Sequence, residues 1–441
     1  MAKDFLHELR WRGLLHEATP GVEELLARGP VKGYIGFDPT ADSLHVGNLV
    51  QIMLLTHFQR CGHIPIALVG GATGMVGDPS GKKSERQLQD EDSLRHNVAC
   101  IRAQLARFID LDGGGAMLVN NHDWFKDIGF LAFIRDVGKH ITVNYMMAKD
   151  SVKNRLETGI SFTEFSYQLV QGYDFVHLHR TLGVRLQMGG SDQWGNITTG
   201  TELIRRMDGG EAHAITSPLL TKADGTKFGK SEGGNIWLDA RRTSPYRFYQ
   251  FWLNTSDADA ERAVRIFTTW EQAEVEARIA EHAKAPHLRT LQKALAEDIT
   301  RRLHGEEEVR EAVRASEFLF KPWTVDQLRA YPLKFWQTLE ECIPGYTTVA
   351  DPSEVKEGEL QGVSLKQIED SISVQKLLAR TGFLASFSEA RRAIREGSIA
   401  VNGVKVTDEQ QLLGGQDLIG GKYLLLQRGK KSYFLVKVGE V

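Results

Sequence analysis

Apolar residues in the first half of the chain gather in short segments, separated by longer stretches with helical spacing. The runs Val31–Phe37, Ile64–Val69, Ala116–Val119, Val184–Met188 and Ala214–Leu220 predict buried strands. Between them, Leu44–Phe58, Ser93–Phe108 and Phe162–Leu182 predict helices. Strands that alternate with helices imply an open parallel sheet covered on both faces. Ligands in such sheets bind at the carboxyl ends of the strands. That puts Tyr34–His45, Gly70–Asp78 and Gly189–Gln193 along one rim.

The strand pattern stops at Ser244 and is absent to about Pro344, where Tyr246–Leu253, Asp259–Phe267, Leu288–Leu303 and Glu306–Phe318 read as helices. Asp351–Ser371 is acidic and polar, as a linker would be. Beyond it, Val374–Arg380 and Ser388–Gly397 are helical, and Asn402-Gly403 sits between two β-branched runs as a hairpin turn. Tyr423–Gln427 and Tyr433–Val438 predict later strands. The expected organisation is a Rossmann-like α/β nucleotide-binding domain over 1–225, then a lysine-rich loop and an all-helical domain over 226–350. A linker over 351–371 and a small α+β RNA-binding domain over 372–441 complete it.

Composition narrows the class. A chain of 441 residues is long enough for two or three domains. Hydrophobic residues at 41% and charged residues at 25% are those of an ordinary globular protein. No apolar run approaches the ~20 residues that cross a bilayer, and Met1–Phe5 lacks a signal-peptide pattern. A cytoplasmic protein without membrane association is expected. Cys61, Cys100 and Cys342 are too dispersed for a zinc site or a disulfide framework. The formal charge of −3 is uneven: Ser373–Val441 carries 11 Lys and Arg against six Asp and Glu, or +5, leaving −8 on the rest. A basic module on an acidic body points to a local polyanion contact.

Candidate chemistry concentrates in three places. In Tyr34-Ile35-Gly36-Phe37-Asp38-Pro39-Thr40 through His45-Val46-Gly47-Asn48, a strand ends, turns, and enters a helix. A helix start offers unpaired N–H groups to a phosphate, and His45 and Asn48 share its first-turn face. Thr221–Ser231 combines glycines, lysines and hydroxyls suited to closing over a triphosphate. On Phe162–Leu182, Tyr167, Gln171 and Asp174 recur at i, i+4 and i+7, with apolar residues on both flanks. A polar stripe inside a buried helix must find partners, so it predicts a polar pocket. Taken singly, the first two segments are as readily an ordinary helix cap and a solvated loop.

Together, His45-Val46-Gly47-Asn48 and Lys227-Phe228-Gly229-Lys230-Ser231 resemble the HIGH and KMSKS signatures of class I aminoacyl-tRNA synthetases. Asn48 stands in place of the second histidine, and Phe228-Gly229 in place of Met-Ser. With Gly70–Gly74, Gly77–Lys82 and Gly189–Asn196, the chain resembles the tyrosyl-tRNA synthetase family along nearly its whole length. That resemblance implies tyrosine activation by ATP with Mg²⁺, no tightly bound metal or organic cofactor, transfer to tRNA(Tyr), and a homodimer. Phe125–Met147, rich in Phe, Ile and Met, either supplies apolar interface or packs its apolar face on its own subunit. The resemblance implies that Tyr34 and Asp174 hydrogen-bond the phenolic hydroxyl, and that Asp78, Tyr167 and Gln171 hold the ammonium group, with Gln193 nearby. Gly36, Asp38, Asn48 and Asp192 fall on the nucleotide side. Thr40 and His45 face the γ-phosphate, and Lys82, Arg86, Lys227, Lys230 and Ser231 the pyrophosphate. The C-terminal pattern resembles a small ribosomal-protein and pseudouridine-synthase RNA-binding fold, with Arg391, Arg392 and Arg395 on its basic helix. Two other readings compete: an enzyme for tryptophan, which would not need the Tyr34/Asp174 pair, and an RNA-binding protein that kept the body without catalysis.

Overall fold

The computed structural model describes residues 3–80, 90–111, 115–153, 155, 159–223, 225–226, 228–231, 234–318, 324–343, 347–348, 371–429 and 432–437, with only the backbone for Lys230, Ser231, Thr347 and Thr348. The chain forms two compact units, 1–244 with 248–305, and 245–247 with 306–441. The helices between Ser244 and Pro344 are thus shared between the two units. The 351–371 segment, Ser371 aside, lies outside the described residues.

In the first unit, six strands lie side by side: β1 (Glu17–Ala18), β2 (Lys32–Phe37), β3 (Ile64–Val69), β4 (Met117–Asn120), β5 (Leu186–Gly190) and β6 (His213–Ser217), in the order β1-β6-β5-β2-β3-β4. Five are parallel, and the short β1 joins β6 antiparallel. β6 stops at Ser217, short of the expected Leu220, because Pro218 has no N–H for the ladder.

The chain runs outward from β2 through β3 to β4, then returns to β5 on the other side of β2, so the order reverses between β2 and β5. There β2 pairs with β3 over six rungs but with β5 over only two, Gly33↔Leu186 and Tyr34↔Gln187. Beyond Tyr34 the two strands no longer pair, and it is at such a reversal of strand order that open parallel sheets bind ligands in a crevice.

Two helices carry side chains to that crevice. Val46–Arg60 starts at His45, and ten of its fifteen residues are buried. Phe162–Leu182 is 21 residues long, starts on a Ser161 hydroxyl that accepts from the Glu164 N–H, and stops at Gly183 (φ 70°). The Asp257–Phe267 helix belongs to this unit because Arg12, 1% exposed, donates to the carbonyls of Arg265, Thr268 and Trp270 at that helix's end. A buried guanidinium on several carbonyls satisfies acceptors that the helix terminus leaves open.

The second unit has a five-stranded sheet ordered 404–405, 399–401, 423–428, 432–437, 347–348, the last strand parallel to its neighbour. Asn402 (φ 48°) and Gly403 (φ 79°) form the expected tight turn between 399–401 and 404–405. Both faces of the central hairpin are buried, by alternation. Leu424, Leu426, Phe434 and Val436 join the core under the Val374–Arg380 and Phe387–Arg395 helices. Tyr423, Leu425 and Leu435 join a second core with Phe318, Phe335, Trp336 and Leu339 from the helices before it. Period-two alternation sends successive side chains to opposite faces, so an unbroken apolar run is what a doubly covered strand requires.

Candidate active site

The polar stripe on Phe162–Leu182 faces inward. Tyr167 and Asp174 are 4% and 1% exposed. Asp174 takes one hydrogen bond on each carboxylate oxygen, from Trp124 Nε1 (3.0 Å) and from Asn121 Nδ2 (3.0 Å). Asn121 Nδ2 also reaches Thr73 Oγ1 at 3.1 Å, Thr73 Oγ1 donates to Asp38 Oδ1 at 2.8 Å, and Tyr167 Oη donates to Asp38 Oδ2 at 2.9 Å. One network therefore joins Trp124, Asn121, Asp174, Thr73, Asp38 and Tyr167. Gly70 makes room for it, since a Cβ there would lie 2.2 Å from Thr73 Oγ1 and 2.4 Å from Asp38 Oδ1. Buried networks stay intact only when their members are satisfied.

Two further groups of the expected site stand outside this network. The Tyr34 hydroxyl and the Gln171 carbonyl oxygen are buried with no hydrogen-bond partner in the chain. Tyr34 sits at the last rung before β2 and β5 diverge. Burial holds the Asp174 carboxyl well above the usual carboxylate range, the bonds from Asn121 and Trp124 pull it back, and the Asp38 charge raises it again. Burial likewise raises the Tyr34 phenol, with the Asp174 charge second. A polar atom buried without a partner costs about 1–3 kcal/mol, so a ligand that supplies one gains that amount. A ring hydroxyl, which both donates and accepts, is the group that fits an acidic acceptor next to a phenol donor.

Asp78 is tied to the residues that follow β5. Its Oδ2 accepts from Gln193 Nε2 at 2.7 Å and its Oδ1 from the Ser80 N–H at 2.9 Å. Asp192, just after β5, has its carboxyl raised by loss of water against the crevice wall and then by the Asp78 charge, although its side chain stays open to the mouth. Asp38, expected on the nucleotide side, is tied into the network with Tyr167 and Thr73.

His45 caps the Val46–Arg60 helix. Its Nδ1 accepts from the Gly47 N–H at 3.0 Å, and Asn48 Oδ1 accepts from the His45 N–H at 3.1 Å. With Nδ1 an acceptor, the imidazole proton resides on Nε2. A Cβ on Gly47 would lie 2.7 Å from His45 Cε1, so glycine is what lets the ring fold over the helix start. Asn48 thus caps the helix with its carbonyl and keeps Nδ2 as a donor. Thr40 is exposed at the turn before it, and Gly36 is exposed at the end of β2.

The lysine-rich segment is anchored beside that helix start. The Phe228 ring stacks on Phe267 (5.6 Å, 12°) and touches Phe251 and Trp252. Asp259 accepts from the Ala223 N–H, and Arg262 donates to the Thr221 carbonyl. Gly229 (φ 85°) has the Gly47 nitrogen 3.0 Å from where a Cβ would stand. Lys82, Arg86 and Lys227 lie outside the described residues, and of Lys230 and Ser231 only the backbone is given. Residues 230–231 pair antiparallel with 234–235.

Sequence reasoning missed Thr73, Asn121 and Trp124. Asn121 and Trp124 follow β4 as the cap and third residue of a four-residue helix, His122–Phe125, too short to show periodicity. The available signal was Asn120–Trp124 itself, a polar run at the carboxyl end of a strand.

In the second unit Arg391, Arg392 and Arg395 share the Phe387–Arg395 helix and are 53–68% exposed. Glu409 pairs with both Arg391 and Arg395, while Arg392 lies 3.9 Å from Glu396. Exposed pairs of this kind contribute little to stability and open readily to a polyanion.

Known proteins resemble this chain along nearly its whole length. Residues 26–321 match the family model for class I tRNA synthetases (W and Y), and 354–436 match a tyrosine–tRNA ligase SYY-like C-terminal domain. The tyrosine–tRNA ligase of Porphyromonas gingivalis is 56% identical over 443 residues, covering 99% of this chain and 100% of its own. That of Bacteroides fragilis is 54% identical, covering 98% and 99%. Among solved structures, a C-terminally truncated mitochondrial tyrosyl-tRNA synthetase from Aspergillus nidulans aligns with a TM-score of 0.65 at 31% identity, over 72% of this chain and 94% of that one.

Proposed function

Since this chain belongs to the tyrosyl-tRNA synthetases, class I enzymes that join tyrosine to its tRNA at the expense of ATP, we propose how its residues divide that work. The enzyme first condenses L-tyrosine with ATP to tyrosyl-adenylate and pyrophosphate, then transfers tyrosine to the 3′ end of tRNA(Tyr). Tyr34 donates to, and Asp174 accepts from, the phenolic hydroxyl of tyrosine. The observation that supports this most is the buried Tyr34 hydroxyl without a partner, placed where the parallel sheet opens. The Gln171 carbonyl, Tyr167 and Asp78 receive the ammonium group, and Gln193 orients Asp78.

The first step needs no enzyme nucleophile. The tyrosine carboxylate attacks the α-phosphorus in line while the bond to pyrophosphate breaks, so the protein contributes positioning and charge stabilisation. Thr40 and the Nε2–H of His45 meet the outer phosphates at the helix start. Lys82, Arg86, Lys227, Lys230 and Ser231 neutralise the departing pyrophosphate. Asp192 takes the ribose, with Asp38 and the Asn48 amide alongside. A Cβ at Gly36 would meet only Leu68 at 3.9 Å, so glycine there keeps the strand edge flat toward the nucleotide. Magnesium enters as part of the substrate, MgATP, on phosphate oxygens. The direct test is ATP–pyrophosphate exchange, which should depend on tyrosine. Exchange driven by tryptophan and not by tyrosine would overturn the phenol assignment.

We propose the cytoplasm as the compartment, which suits three cysteines that stay unpaired. No helix among the described residues is long and apolar enough to cross a membrane. We also propose a homodimer. Phe130, Leu131 and Ile134 are 64%, 80% and 44% exposed, and Val143 and Phe162 are 63% and 66% exposed. Such large apolar side chains at the surface favour an interface. Replacing Phe130 and Leu131 by Glu should halve the mass measured by sedimentation, and an unchanged mass would remove this surface from the interface.

The second unit is assigned to tRNA through Arg391, Arg392 and Arg395. Because the 306–343 helices share a core with its last strands, the informative truncation ends at Gly305. That chain should keep tyrosine-dependent exchange while tRNA charging falls by more than about tenfold, as expected when phosphate contacts are lost. Undiminished charging would leave the unit without this role.

A further inference from the structure

We propose that Trp237 is a positioning residue for His45. It would hold the imidazole in its donor orientation and tie that orientation to the chain that leaves the lysine-rich segment. The proposal rests on the reading of His45 as a phosphate donor.

The segment Ile236–Asp239 lies antiparallel against Ser43–Val46. The Val46 N–H donates to the Ile236 carbonyl (2.9 Å), the Leu238 N–H to the Leu44 carbonyl (2.8 Å), and the Asp239 N–H to Ser43 Oγ (3.1 Å). His45 and Trp237 form the bridge between them, which puts their side chains directly opposite on one face. Their rings meet at 6.0 Å and 67°, an edge-to-face pair.

Trp237 is itself held. Its backbone N–H donates to Thr243 Oγ1 at 2.9 Å, and the Arg242 guanidinium lies 4.6 Å from its ring centroid. Arg242 in turn pairs with Asp42, three residues before His45. The ring, the guanidinium and the carboxylate close a loop that starts and ends beside His45. Its backbone continues upstream through the 234–235 strand, which pairs with residues 230–231.

The Gly47 N–H and the Trp237 ring both bear on the orientation of the His45 imidazole. The first fixes Nδ1 through a hydrogen bond, and the second limits rotation about the Cβ–Cγ bond. The second makes the Nε2–H direction a property of the fold, as transition-state stabilisation by a fixed donor requires.

The test is a double-mutant cycle on the full-length enzyme, read as the rate constant of adenylate formation at saturating tyrosine and ATP. Trp237→Ala should lower it by about three- to tenfold, the worth of one aromatic pair, with tyrosine affinity unchanged. Trp237→Phe, which keeps an aromatic edge, should recover most of the rate. In a His45→Ala background, Trp237→Ala should cost less than about twofold, because its route to the substrate is already gone. Equal losses in both backgrounds would overturn the proposal, as would a loss confined to tyrosine affinity or a Phe variant as slow as the Ala variant. A His45→Ala enzyme as fast as the parent would instead remove the phosphate reading itself.

Discussion

Asp174→Ala should lower kcat/KM for tyrosine by about 10³-fold and leave KM for ATP within about threefold. The size follows from what the carboxylate touches. Trp124 Nε1 and Asn121 Nδ2 both donate to it, and the Tyr34 hydroxyl stands near enough for its charge to raise the phenol. Without Asp174 the substrate hydroxyl loses its acceptor, and the two protein donors are stranded in a place 1% exposed. Each such group costs about 1–3 kcal/mol, and two or three together give three decades of rate. A site built around a hydroxyl rejects the analogue lacking it by about 10⁴–10⁵, a magnitude established on enzymes of this very class. Asp174→Asn keeps the shape and should fall between parent and Ala, with phenylalanine rejected less strictly. Initial rates of pyrophosphate exchange, varied in each substrate separately, give both constants. Matching losses for tyrosine and ATP would show that the side chain supports the whole crevice rather than the phenol.

His45→Ala should slow adenylate formation by about 10²–10³-fold, the usual effect of deleting one fixed donor to a transition state, without weakening tyrosine binding. Nδ1 is engaged with the Gly47 N–H, so the ring offers Nε2–H, and its removal takes charge stabilisation from the growing pyrophosphate. Gly47→Ala should fall in the same direction by a smaller factor, because the new methyl would stand 2.7 Å from His45 Cε1 and turn the ring aside. Rapid-quench measurement of the first turnover separates the chemical step from binding. A change in ATP KM at constant rate would mean that His45 binds the ground state and the transition state alike.

The sequence was most informative where one physical rule dominated. Apolar segments marked β2 and β3 to within a residue, because a parallel strand covered on both faces is mostly apolar along its length. Tyr167 and Asp174 were legible from helical spacing alone. Thr73, Asn121 and Trp124 were not, since they reach the network from two four-residue helices, Thr73–Val76 and His122–Phe125 with its cap Asn121, which are too short to show a period. Nor did the pattern foretell how the helices would be shared. Nothing in the local spacing of Glu306–Phe318 or Leu333–Cys342 distinguishes a partner in the 423–437 hairpin from one in the parallel sheet. Only the two-sided apolar character of Tyr423–Leu426 carried a hint, because a strand greasy on both faces must have two coverings.

That double covering sets how the chain end behaves when it is cut. Trp336 stacks on Tyr423 at 5.7 Å, and Leu425 and Leu435 lie under the same aromatic layer. A chain break introduced between 349 and 370 would sever the covalent thread but leave this seam closed. The two fragments would stay together as one particle, and fragments made separately would recognise each other through the seam.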